Sequence, residues 1–346
     1  MSNLDPSPEP VTLAAGGAAG GTLGVAGGGP AVHHAVDVLE ARKAAVGDGT
    51  EVRRLLPQRA LRTIGAWCFL DHYGPDDVSA GPGMQVPPHP HTGLQTASWL
   101  FSGLVLHRDS LGSEQLIRPG ELNLMTSGRG IAHSEQSPAQ RPAGLHGVQL
   151  WIALPASAQF TEPGFAHHAG LPGLRDGDAT VTVLAGEYRG QRSPATVYTP
   201  LVGLEITVPA GAEAALALRP DFEYGVLAVD GPATADPAPA GPAPASPAAD
   251  HALGAHIEPG RMAHLPTGGS SVRLAPSGPD GGRFFVVGGE PFTERLVMWW
   301  NFVARTGEEI AQFRGDWAAG RFGEVPGYPG EPLAAPPLPG VPLRPR

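Results

Sequence analysis

The chain has 346 residues, enough for roughly two domains at about 150 residues each. Its formal charge of −10, with no block of Lys or Arg, argues against a general nucleic-acid surface and against an anionic-membrane surface. The single cysteine, Cys68, excludes an intrachain disulfide framework and fits a reducing compartment.

No stretch is long and apolar enough to span a bilayer, and the amino terminus lacks the basic residues and apolar core of a secretion signal, so the cytoplasm is the expected location. Cys68 sits in the apolar run Gly65–Leu70 and reads as a buried structural thiol. Gly and Pro, 49 and 39 in number, punctuate short apolar runs, the pattern of many short strands joined by turns. The fold class is therefore all-β.

Residues 1–34 are mostly Gly, Ala and Pro, too poor in large side chains to offset their ordering entropy, and are expected to be disordered. Strands are expected from Ala35 to Leu39, from Glu51 to Leu56 and up to Leu70, with turns at Asp71–Pro75 and Gly81–Gly83. A meander of hairpins follows through Thr96–Phe101, Leu104–Asp109 and Glu114–Ile117, and Gly147–Leu154 closes a first unit. Residues 156–178 read as a loop connection. A second set of strands runs from Ala179 to Val287, interrupted by an Ala/Pro/Gly tract at about 231–250 that is expected to loop out without touching a core. Thr306-Gly307-Glu308-Glu309 has capping-box spacing, and Ile310, Phe313 and Trp317 follow at helical spacing, which predicts an amphipathic helix over 306–320. The tail, 326–346, is Pro-rich and expected to lie extended on the surface.

The chemistry concentrates between residues 83 and 135. His89-Pro90-His91 and His133-Ser134-Glu135 each place two side chains on one face of a strand, because strand side chains alternate with period two. Two such pairs on neighbouring strands converge on one point and make His89, His91, His133 and Glu135 the candidate ligands of one metal ion. Neutral imidazoles with one carboxylate and open positions favour Fe(II) over a closed structural zinc site, although Zn, Ni, Cu and Mn occupy similar ligand sets. His256-Ile257-Glu258 imitates the His-x-Glu spacing but lies just before Pro259-Gly260, whereas His133 lies well after Pro119-Gly120, so no second metal is expected.

The spacing of Gly83, His89-x-His91, Gly103 and His133-x-Glu135 resembles the two-motif pattern of cupins, and Gly128-Arg129-Gly130-Ile131-Ala132-His133-Ser134-Glu135 resembles the pirin family. His89-Pro90-His91-Thr92-Gly93, His107-Arg108-Asp109-Ser110 and Gln149-Leu150-Trp151 extend that resemblance over roughly residues 36–325. It implies two cupin-type (jelly-roll) β-barrels with a C-terminal helix: an N-terminal barrel, 35–178, holding the metal, and a C-terminal barrel, 179–325, lacking metal ligands. It carries the ligand set over onto His89, His91, His133 and Glu135. It also implies a quercetin 2,3-dioxygenase activity on a flavonol-like substrate and O2, with Glu135 as catalytic base. The alternative it implies is a non-catalytic, iron-dependent regulator that binds a transcription factor or a metabolic enzyme. Gln95 stands where many pirins have Glu, which leaves Glu135 as the only acid of the proposed ligand set. A monomer is the expected state, with no direct nucleic-acid or membrane contact.

Overall fold

The computed structural model describes residues 11–13, 36–46, 50–240 and 254–345. The short apolar runs become strands that build two barrels on one plan. In the first, a seven-stranded antiparallel sheet has the spatial order Gly164–His168, Leu122–Thr126, Leu94–Ser102, Gly144–Ala153, Trp67–Asp77, Thr50–Leu56, Arg42–Val46. It faces a four-stranded sheet ordered Gln85–His91, Ile131–Gln136, Val105–Asp109, Glu114–Ile117. The second barrel repeats the seven-plus-four arrangement, with ten of those eleven strands lying between Gly173 and Gly289. Two jelly-roll barrels, a small three-stranded sheet, a short hairpin and one helix therefore make up the regular structure of the described residues.

The barrels meet through a shared apolar core. Trp67, Leu70, Trp99 and Phe101 of the first pack against Leu184, Leu201, Phe285 and Val287 of the second. Each such side chain contributes about 1.5–3 kcal/mol on burial. The indole nitrogens find partners across the seam, Trp67 donating to the Gly288 carbonyl at 3.1 Å and Trp99 to Glu205 Oε2 at 2.6 Å. Cys68 lies beside this core, fully buried, and burial pushes its thiol up to about 12, in keeping with a structural role.

Segments also cross between the barrels. Asp37–Leu39, expected in the first barrel, pairs with Met262–Leu265 as the outer strand of the second barrel's large sheet. In return Leu296–Trp299, Phe302–Ala304 and the helix Gly307–Ala318 pack on the first barrel, where Trp299 and Phe302 join Ala132 in one apolar cluster with Ile310, Phe313 and Phe322. The capping box forms as its spacing predicts: Thr306 Oγ1 accepts from Glu309 N at 3.1 Å, and the Glu309 carboxylate accepts from Thr306 N at 3.3 Å. Among its described residues the tail contributes no regular element, but Leu333 N donates to the Pro88 carbonyl at 2.8 Å and ties it to the edge of the His-x-His strand.

Five further expectations are corrected. The expected turn Asp71–Pro75 lies inside the strand Trp67–Asp77. The expected meander reduces to one hairpin, Val105–Asp109 with Glu114–Ile117, because Leu94–Ser102 pairs instead with Leu122–Thr126 and Gly144–Ala153 in the other sheet. The presumed connection 156–178 contains the strands Gly164–His168 and Gly173–Asp176, one on the outer edge of each large sheet. Within the lead expected to be disordered, Val11–Leu13 is a strand paired with Leu296–Met298, while residues 1–10 and 14–34 lie outside the described residues. The Ala/Pro/Gly tract does not loop out from its start, because Ala233–Pro239 is a strand between Ala255–Ile257 and Gly269–Pro276. Ala233 and Ala235 alternate inward and are fully buried. Pro237 and Pro239 lie beyond the end of the shorter neighbour, which pairs only with 233–235, so their missing N–H groups interrupt no ladder on that side. Residues 241–250 of the tract lie outside the described residues.

Candidate metal centre

The strands Gln85–His91 and Ile131–Gln136 are antiparallel neighbours, with His89 directly opposite His133 and His91 opposite Ile131. Period-two alternation then points His89, His91 and His133 into the barrel. Their ring centroids form a near-equilateral triangle with separations of 4.4 Å (His89–His133), 5.0 Å (His89–His91) and 5.0 Å (His91–His133). One ligand nitrogen from each lies within 4.8 Å of the others. Two glycines permit the local path. Gly93 has φ +69° and a Cβ there would stand 2.1 Å from the Val303 carbonyl oxygen, while a Cβ on Gly130 would stand 2.3 Å from the Phe322 ring.

Each histidine is held in the tautomer a metal needs. His89 Nδ1 donates to the Pro87 carbonyl at 2.8 Å and His91 Nδ1 to the Asn301 carbonyl at 3.1 Å. His133 Nδ1 lies 3.4 Å from His107 Nδ1, and His107 Nε2 lies 3.1 Å from Asp109 Oδ2. An ionised Asp109 puts the His107 proton on Nε2, which leaves His107 Nδ1 as an acceptor for His133 Nδ1–H. In all three rings the lone pair is then on Nε2, and all three Nε2 atoms are buried without a hydrogen-bond partner. A buried polar atom left so costs about 1–3 kcal/mol, and three of them aimed at one point fit a divalent metal ion. Burial pushes His89 down to about 3 and holds His91 and His133 well below the ordinary range, so all three are neutral at physiological pH.

Glu135 is buried on the same strand face as His133, but a register shift separates the two and sets Glu135 opposite Val86. It is not a member of the 4.8 Å group, which comprises the three histidines. Ser98 Oγ lies 3.1 Å from Glu135 Oε1 and 2.8 Å from Gln149 Oε1. Ser98 and Gln149 belong to a polar row that crosses the large sheet in register, from His167 through Asn123, Ser98, Gln149 and Asp71 to Arg54. Arg54 closes the row with two bonds of 2.8 Å to Asp71.

Gln95 does not share the histidines' surroundings. Its amide donates to Thr126 Oγ1 at 2.9 Å and to the Thr196 carbonyl at 3.1 Å, and it has the strand parity of Ala97 and Trp99, which lie in the core between the barrels. Gln95 is thus bonded away from the histidine cluster. Trp99 and Phe101 are core residues, whereas Trp151 meets His91 edge-on at 5.0 Å and stacks on Phe69 at 4.1 Å, forming the wall behind that ring. His72 and His146 lie apart from the triangle as a pair with Nε2 atoms 2.7 Å apart. In the second barrel His256 pairs with Glu258 at 2.9 Å on the surface. The supporting residues His107, Asp109 and Asn301 were not among the sequence candidates. His107-x-Asp109 carried a readable signal in its strand parity, while a backbone carbonyl 210 residues from His91 leaves none.

Fold and site together define a bicupin whose first barrel carries a three-histidine cluster that could hold a metal ion. Comparison with known proteins is consistent with this. The family described as Pirin matches residues 49–152, and the Pirin C-terminal cupin domain matches residues 203–323. A Pseudomonas aeruginosa protein named "Putative quercetin 2,3-dioxygenase" is 42% identical over 311 residues, covering 88% of this chain and 91% of its own. Human Pirin is 30% identical over 274 residues, 78% of this chain and 87% of its own. The crystal structure of quercetin 2,3-dioxygenase from Acinetobacter baumannii superposes with a TM-score of 0.80 at 41% identity, covering 89% of this chain and 97% of that one. The chain belongs to the pirin family.

No helix among the described residues is long and apolar enough to cross a membrane.

Proposed function

We propose that this protein is a mononuclear metal-dependent dioxygenase of the quercetin 2,3-dioxygenase type, acting on a flavonol-like substrate with O2. The observation that carries this reading is the convergence of three buried, partnerless Nε2 atoms beside a buried carboxylate. The names of the Pseudomonas and Acinetobacter relatives support the choice of reaction.

A divalent ion held there, Fe(II) being our choice, would supply Lewis acidity and one-electron chemistry toward O2. His89, His91 and His133 would hold it through Nε2, their orientation set by the Pro87 and Asn301 carbonyls and by His107. Glu135 is the proposed fourth ligand and the base that accepts the proton of the substrate hydroxyl, a role supported by its burial and its position two residues after His133 on the same strand. Trp151 and the second ring, Phe69, keep bulk water from the back of His91.

The test is reconstitution under anaerobic conditions with Fe(II), followed by a flavonol and O2, with substrate loss compared between the wild type and His133→Ala. Turnover in the wild type alone supports the assignment. Equal rates in the two proteins would overturn it, and metal uptake without turnover in either would favour the regulatory alternative.

A further inference from the structure

The contacts of Ser98 contain a proton-counting problem whose solution assigns two residues a role. Its hydroxyl has one hydrogen, yet it lies within bonding distance of two oxygens, Gln149 Oε1 at 2.8 Å and Glu135 Oε1 at 3.1 Å. Both cannot be accepted bonds, and Gln149 Nε2 meanwhile is buried without a partner. Turning the Gln149 carboxamide end for end exchanges its oxygen and nitrogen in place and removes the conflict. Nε2 then donates to Ser98 Oγ, and the Ser98 hydrogen goes to Glu135. The group left facing no partner becomes a carbonyl oxygen, which tolerates burial better than an orphaned N–H.

We propose that Ser98 and Gln149 are positioning residues of Glu135, joined in a directed chain from the Gln149 amide through the Ser98 hydroxyl to the carboxylate. The chain rests on the metal-centre reading of the site and adds to it what holds the carboxylate in place. All three side chains are at least nine-tenths buried. Ser98 and Gln149 are direct cross-strand partners in the large sheet, while Glu135 reaches them from the opposite sheet. That placement matters because of the register shift before Glu135, which frees this residue from the strict strand geometry that fixes His133 against His89. The donor chain supplies the constraint the backbone relaxes there. It also favours the ionised carboxylate, since a charged acceptor makes the stronger bond with a hydroxyl.

The experiment titrates metal-free protein with Ni(II) calorimetrically, so that no turnover is needed. Ser98→Ala is expected to weaken Ni(II) binding by about 10- to 100-fold, the usual effect of losing an outer partner of a ligand, and Ser98→Thr, which keeps the hydroxyl, to stay within about threefold of wild type. In a Glu135→Ala background Ser98→Ala should cause no further loss, because the chain acts only through that carboxylate. Unchanged affinity in Ser98→Ala would overturn the proposal, as would an equal loss with and without Glu135. Failure of the wild type to bind Ni(II) would overturn the metal-centre reading itself, a result distinct from either.

Discussion

Asp109→Asn tests whether the tautomer chain behind His133 governs the centre. Asp109 Oδ1 accepts from Leu111 N at 2.9 Å and from Ser113 N at 3.0 Å, and Oδ2 lies 3.1 Å from His107 Nε2. Burial pushes this carboxyl up, but the bonds from His107 and Ser113 outweigh it and keep Asp109 below the ordinary range, so it is an ionised acceptor on both sides. Asparagine has one acceptor oxygen. Two turn N–H groups hold that oxygen, which leaves the amide nitrogen facing His107 Nε2, and this nitrogen must then accept. The proton of His107 moves to Nδ1, His133 Nδ1 becomes the acceptor, and the His133 proton moves to Nε2, where a metal needs a lone pair. The expected cost is about 10- to 100-fold in Ni(II) affinity, or about 1.4–2.7 kcal/mol. Calorimetry on metal-free protein measures it, and nitrogen NMR of the imidazoles reports the tautomer of His133 directly. Wild-type affinity in Asp109→Asn, with the His133 proton still on Nδ1, would refute the chain.

Gly93→Ala places a Cβ at φ +69° and 2.1 Å from the backbone oxygen of Val303; left-handed backbone alone costs about 1–2 kcal/mol, and with the clash the loss should exceed about 3 kcal/mol in urea unfolding. A loss below about 1 kcal/mol would show that the turn can shift freely. The His72–His146 pair predicts an acid-sensitive seam: burial lowers His146 to about 4 and His72 well below its ordinary range. The unfolded chain takes up these protons as the pH falls below about 6.5 whereas the folded chain does not, so stability is full above that pH and declines toward about 4. His146→Gln should make the fall in urea midpoint between about pH 7 and pH 5 shallower, and an unchanged slope would count against the pair. Thr306→Ala removes the helix cap and should cost about 1 kcal/mol by the same urea titration, with no change indicating that packing alone holds the helix.

Strand parity explains both what was legible in the sequence and where reading it failed. His89, His91 and His133 could be placed on one face because period two holds within an uninterrupted strand. Gln95 enters the sequence reading through the family resemblance alone, and parity does not extend to it from His91: Thr92-Gly93 intervenes, and the positive φ of Gly93 turns the chain before the next strand begins at Leu94. Gln95 bonds in the seam between barrels, to the Thr196 carbonyl. The Ala/Pro tract shows the opposite limit: its composition favours a loop, yet Ala233 and Ala235 show the same period two that identifies the other strands. What no local rule reaches is support from distant segments. The carbonyl that orients His91 belongs to Asn301, in the turn between Leu296–Trp299 and Phe302–Ala304, where Trp300 takes φ +54°. That turn is carried to the first barrel by a segment that follows the second. The histidine cluster is therefore oriented in full only when the chain has traversed both barrels and returned, which ties the geometry of the candidate centre to the segment that follows the second barrel.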